Sequence, residues 1–208
     1  MDIHPPEGPT HSLRDFAIHI LVVTIGILIA LSLEGVRESW REHKAIAEAR
    51  EAFREEIEGN RNNLKLDMES FHKVEQQADE IVKQMPELAK HPDELRKQVD
   101  NLKPGFYFYR TRAWETAASG GALAHMTTSE RSRYADVYTG LKSFEAISGE
   151  TFKQYIEMET YYGSHHSYTG NTLPEAEQRL RLLHAECKVL QHIGEQLTVA
   201  FDQALAVK

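Results

Sequence analysis

The feature that most constrains this chain is an unbroken apolar run near its beginning. Phe16 to Leu33 reads FAIHILVVTIGILIALSL, with no Asp, Glu, Lys or Arg. As a helix rising 1.5 Å per residue, such a run is about 27 Å long, close to the roughly 30 Å of a bilayer's hydrocarbon core. Arg14 and Asp15 bound it on one side and Glu34, Arg37 and Glu38 on the other, while Trp40 and Arg41 fit an interfacial anchor beyond the exit. The expectation is a tail over residues 1–15 and a transmembrane helix over residues 16–33. His19 lies one turn inside, where an imidazole can reach the headgroups. A signal peptide cleaved after Ser32 is the competing reading. The acidic leading segment (Asp2, Glu7 and Asp15 against Arg14) and the length of the run favour an uncleaved anchor. Arg37, Arg41, Lys44 and Arg50 outnumber Arg14 around the span, so the positive-inside rule leans towards a cytoplasmic C-terminal domain.

Composition excludes several classes. The net charge of −8 argues against wrapping nucleic acid. A single cysteine excludes a disulfide framework and any multi-cysteine metal site. The apolar run also flatters the chain's 41% hydrophobic content, so the remainder is modest in core-forming residues.

Beyond the membrane, residues 34–208 read as an extramembrane helical bundle. Ile46, Phe53, Ile57, Asn60, Leu64, Asp67, Phe71, Val74, Ala78, Ile81 and Met85 recur at three and four residues from Phe53 onward, the seam of a coiled coil or bundle. No proline interrupts the chain from Arg14 to Met85, so one helix is expected to leave the bilayer and end near Pro86. Asn60 and Asp67 on that seam either fix register or face solvent where the seam is imperfect. His91 to Leu102 reads as a short helix with Pro92 in its first turn. Phe106 to Arg112 is a strand-like patch with no partner strand, expected as an aromatic connector over one end of the bundle. Trp114 starts a turn or two of helix stopped at Ser119-Gly120-Gly121, and is expected to be the packing anchor there. Thr127-Thr-Ser-Glu130 and Thr172-Leu-Pro-Glu175 read as capping boxes. The first opens a helix to about Tyr162 with Tyr134, Val137, Leu141, Phe144, Ser148, Phe152, Tyr155 and Tyr162 inward. After a turn over 163–171, the last helix places Ala176, Leu180, Leu183, Cys187, Leu190, Gly194, Leu197, Phe201 and Ala204 inward. The fold class is therefore all-α: an N-terminal transmembrane helix continuous with a long helix of an antiparallel helical bundle.

The stretch Ile20 to Leu31, with Val23-Thr-Ile-Gly-Ile-Leu-Ile-Ala-Leu31 running into a charged helix with Trp40, resembles a group of uncharacterised bacterial single-span membrane proteins. Their apolar segment commonly reads VxxGILIAL, and their later part often carries a Trp and a Ser-Gly pair before another helix. Trp114, Ser119-Gly120 and the Tyr134–Tyr138 region are similar to that pattern, and Gly121 departs from it. The resemblance implies a bacterial inner-membrane location and carries no activity.

No catalytic grouping emerges. There is no G-x-S-x-G elbow, no P-loop, no HExxH and no paired Glu-x-x-His motif. His184 and Cys187 lie three apart on one helix, where they could chelate, but His192 points elsewhere. His165-His166 sits in a loop with Tyr161, Tyr162 and Tyr168, which could line a ligand pocket or serve as core. No catalytic residue, metal or cofactor is therefore assigned, and the chain is read as a non-enzyme. Gly26 and Ala30 form a small-xxx-small pair that would let two membrane helices approach closely. Phe53, Ile57, Leu64 and Phe71 form a seam that the later helices or a partner chain must cover. The expected function is a membrane-anchored helical protein acting by association, as a self-assembling or accessory subunit of a membrane complex. Its partners are the bilayer and a homo-oligomer or larger membrane assembly, with no nucleic acid. The alternative is a ligand-sensing bundle that signals through a partner.

Overall fold

The computed structural model describes residues 13–206; residues 1–12 of the expected tail lie outside the described residues. Among the described residues there are six helices and no strand, so the fold is all-α. The first helix, α1, runs Leu13–Leu88. The chain divides into two units, Met1–Ala47 and Glu48–Lys208, so residues 34–47 group with the apolar helix rather than with the bundle. In the first unit no described side chain is buried, and the whole apolar run is exposed. The hydroxyls of Thr24 and Ser32 donate to the carbonyls of Ile20 and Leu28 at 2.8 and 2.7 Å, so these polar groups are satisfied within their own helix. A helix in lipid requires that, and this one is long and apolar enough to cross a membrane.

The second unit is built on the remaining length of α1, whose seam from Phe53 to Met85 is buried throughout, Asn60 and Asp67 included. Four further elements lead to the last: α2 (Pro92–Asp100), α3 (Arg112–Ser119), α4 (Ala122–His125) and α5 (Thr128–Ser164), followed by α6 (Thr172–Leu205). Cross-contacts fix the directions. Glu130 meets Arg50, Tyr138 meets Glu56 and Phe144 meets Phe71, so α5 runs parallel to α1. Asp202 meets Arg61 and Gln191 meets Glu75, so α6 runs antiparallel to α1. α6 is also antiparallel to α5, as the bond from Tyr162 to the Ala176 carbonyl near their shared turn shows. The stroke back between α1 and α5 is made by an extended arm and short helices instead of a fourth long helix. Lys103-Pro104-Gly105 ends the helical path, and the aromatic run after it favours extended backbone.

α1 ends at Leu88, near Pro86 as expected, since a proline in the last turn removes only one helical hydrogen bond. Several other expectations are corrected. Phe152 is exposed, and Thr151 takes the buried position beside it. The heptad step from Phe144 passes through 148, 151, 155, 158 and 162. Thr151 satisfies its hydroxyl on the Ile147 carbonyl at 3.1 Å, while Phe152 lies edge-on to Phe106 at 4.7 Å. Only half of the first capping box forms. Thr127 accepts the Glu130 N–H at 3.2 Å, but the Glu130 carboxylate turns to Arg50. The second box does not form, because Thr172 is already helical and its hydroxyl accepts the Thr169 N–H at 2.9 Å. The break after α3 uses Gly121 at φ 78°, a left-handed conformation suited to glycine, and a short helix the sequence reading lacked follows it. The inward face of α6 matches the sequence reading residue for residue.

Candidate functional site

Three regions carry side chains that could act on something outside the chain. The first is the apolar helix. Gly26 and Ala30, one turn apart on one face, are exposed, and a Cβ built on Gly26 would meet nothing within 4 Å. That face is a flat strip with room for a close neighbour.

The second is the seam with its arm. Phe53, Ile57, Leu64 and Phe71 are all but fully buried within the chain itself. Phe53 is packed by Tyr134 at 4.4 Å, Tyr138 at 5.9 Å and Trp114 at 6.1 Å between ring centres. Its proximal position therefore needs no partner chain, contrary to the reading in which a second subunit covers it. Trp114 is half-buried and stacks on Tyr138 at 5.3 Å. Asn60 and Asp67 neither set a coiled-coil register nor face water. They hold the arm, which lies along α1 and does not cover an end of the bundle. Asn60 clasps Arg110 at both main-chain groups, donating to its carbonyl at 2.7 Å and accepting from its N–H at 2.8 Å. Asp67 accepts from the Tyr107 N–H at 3.1 Å and the Tyr109 hydroxyl at 2.6 Å. Asn63 donates to the Phe108 carbonyl at 2.9 Å, and Glu56 accepts from the Ala113 N–H and, at 2.8 Å, from the Tyr138 hydroxyl. Ser70 receives the Gly105 N–H. An extended segment without a partner strand must still satisfy its backbone, and here one helix's side chains do much of that work. The sequence reading missed this ladder. Its signal was available as Glu56, Asn60, Asn63, Asp67 and Ser70, polar residues spaced by three and four on one helix.

The electrostatics follow from burial. Burial pushes the Asp67 carboxyl up to about 6, against the lowering effect of its bonds from Tyr109 and Tyr107. Burial, with the adjoining carboxylates, also raises Tyr109 and Tyr138 well above an ordinary phenol. Arg50, bidentate on Glu130 at 2.6 and 2.8 Å, holds that carboxyl below the usual range. Each of these groups is tied into the packing of α1, the arm and α5.

The third region is the tyrosine-rich turn. Tyr161, Tyr162 and Tyr168 donate to the carbonyls of Thr172, Ala176 and Tyr162, closing the α5–α6 hairpin. His165 stacks on Tyr161 at 4.0 Å. His184 lies against Glu75 of α1, while Cys187 is buried on the core seam with its thiol pushed up to about 12 by burial. His184 and Cys187 thus share a helix but not a site. Among the described residues no three His, Cys, Asp or Glu side chains converge as metal ligands. Compared with known proteins, the chain matches no protein-family model, no curated protein and no solved structure.

Proposed function

We propose that this chain is a membrane-anchored, non-enzymatic helical protein that works by association, as a self-assembling or accessory subunit of a membrane complex. The observation that carries the reading is the contrast along α1. No described residue before Ala49 is buried, and the exposed part includes the whole apolar run. Such a surface has to be covered by lipid or protein. Residues 16–33 span a bacterial inner membrane and stay attached, with the bundle on the cytoplasmic side. Self-association runs through the strip at Gly26 and Ala30. Phe53 takes no part in it, being already covered by the chain's own aromatic residues.

The experiment is affinity purification of the full chain from membranes in mild detergent, with intact-mass measurement of the product. Stoichiometric membrane proteins, or a cross-linked homo-oligomer lost in Gly26→Ile, support the reading. A lone monomer with no cross-linked species sinks the association. A mature product beginning at Leu33 sinks the anchor.

A further inference from the structure

The arm reverses the charge of the chain. Asn101 to Trp114 carries Lys103, Arg110 and Arg112 and no Asp or Glu, in a chain of net charge −8. All three cations are exposed, and none of them is in an ion pair among the described residues. Between them stand Phe108, 91% exposed, and Tyr107, also exposed. Phe152 of α5, edge-on to Phe106 of the arm at 4.7 Å, widens this apolar surface on one side. Exposed Leu66 widens it on the other. It lies three residues from Asn63 and four from Ser70, the side chains that hold Phe108 and Gly105, so it belongs to the flank of α1 that meets the arm.

Phe108 is held in place. Its carbonyl accepts from Asn63 at 2.9 Å, and Asp67 and Asn60 fix the main chain at Tyr107 and Arg110 on either side of it. A ring presented on a pinned backbone loses little freedom when something covers it. The arm is bonded at Gly105 to Ser70 and at Ala113 to Glu56, so it follows about 21 Å of α1, four turns of helix. The surface is therefore elongated, with cations at both ends and rings between.

Electrostatics select the occupant. The guanidiniums of Arg110 and Arg112 favour carboxylates, which they can meet bidentately. The two helices that border the arm expose carboxylates of their own, Glu55 and Glu58 on α1 and Glu157 on α5. These repel a broad anionic plane or a long polyanion, and leave room for a narrow segment seated on the arm alone. We propose that the outer face of the arm is the docking surface for an acidic amphipathic helix of a partner protein. Its apolar stripe covers Phe108, Tyr107 and Phe152, and its carboxylates meet Lys103, Arg110 and Arg112. The proposal rests on the association reading, to which it adds the partner's chemistry and seat, and it is separate from the strip at Gly26.

The test titrates the full chain in phosphatidylcholine nanodiscs with an amphipathic peptide of about fourteen residues. The peptide has leucines at spacings of three and four and glutamates between them, and empty nanodiscs are the blank. The same peptide with lysine for glutamate is the control. Net charge alone would make the acidic chain prefer the lysine peptide. The arm is expected to reverse that, with the glutamate peptide bound at least about tenfold more tightly. Phe108→Ala is expected to weaken binding about tenfold or more with an unchanged melting curve, because the ring is exposed. Arg110→Glu combined with Arg112→Glu is expected to abolish it, and the arm stays attached because Asn60 holds Arg110 by its main chain. Equal or tighter binding of the lysine peptide overturns the proposal. So does wild-type affinity in either variant, or no binding of the glutamate peptide at millimolar concentration. Binding of phosphatidylglycerol vesicles or of a single-stranded oligothymidylate in place of the peptide overturns it as well. Co-purification separates the two readings. A stoichiometric partner retained by Phe108→Ala sinks this surface alone, whereas peptide binding as expected with no co-purifying protein and no homo-oligomer sinks the association reading alone.

Discussion

Helix α1 obeys two opposite rules along its length. From Leu13 to Glu48 its side chains are exposed or half-exposed, the apolar ones included. From Phe53 to Met85 its apolar side chains, Leu66 excepted, point inward, and its exposed positions are largely Glu, Arg, Lys and Gln. The backbone is the same α-helix in both stretches, so secondary structure does not distinguish them. The pattern does. Within the first stretch, residues 16–33 are apolar on all sides, which suits a surrounding apolar solvent, while the second stretch is apolar mainly on one stripe, which suits a core. The two should therefore respond to substitution independently, and four experiments can break or sharpen that contrast.

The largest effect belongs to the core stripe. Phe71→Ala removes a fully buried ring packed on Phe106 and Phe144 and should cost about 3–5 kcal/mol in thermal or denaturant unfolding of the bundle, with membrane extraction behaviour unchanged. Loss of membrane retention in that variant would tie the two stretches together. Next comes Asp67, whose carboxyl is raised by burial to about 6 in the folded chain, above its ordinary value of 3.8. The folded state then binds the proton more tightly than the unfolded state. The stabilisation it lends is complete at acid pH and is lost as pH rises through about 6, a swing of roughly 2–3 kcal/mol. Asp67→Asn should flatten that slope in a pH series of melting curves; an unchanged slope would assign it to other groups.

Trp114→Ala should cost about 2–3 kcal/mol, less than a fully buried tryptophan, because the side chain is half-buried against Tyr138. Wild-type melting would remove Trp114 from the packing. The smallest change in stability is expected for Gly26→Ile, within about 0.5 kcal/mol for the bundle, since nothing lies near that position. Its effect should be seen in cross-linking within native membranes. A lowered melting point of the bundle would show that the contrast between the two stretches is not clean.

What the sequence disclosed depended on whether one period governed the position. The face of α6 was legible from Ala176 to Ala204 because a single heptad runs through it with small or apolar residues at every step. On α5 the same logic chose Phe152 over Thr151, since hydrophobicity and period disagree there. The period won, because the arm's Phe106 offers the displaced ring a place on the flank. The arm's route was not legible. Its strand-like composition names no partner, and the partner is a set of polar side chains on a helix that local pattern treats as solvent-facing or as register devices. A cavity of about 230 Å³ lined by Arg50, Ile57, Tyr134 and Ala204 was hidden for a similar reason, since it needs residues of three helices brought together by the parallel placement of α1 and α5.

The ladder that fixes the arm also divides the chain into strict and permissive positions. Asn60, Asn63 and Ser70 reach only main-chain atoms of the arm, which every residue type except proline presents alike. The outward side chains of the arm, Phe108 at 91% exposure first among them, are thus free to vary without loosening its attachment. Asn60 is not, because no other side chain of its length both donates and accepts in the plane of a peptide group. Through a history of substitutions, the arm would keep its path while its lettering drifted, and the record of that path would be kept on the helix it lies against.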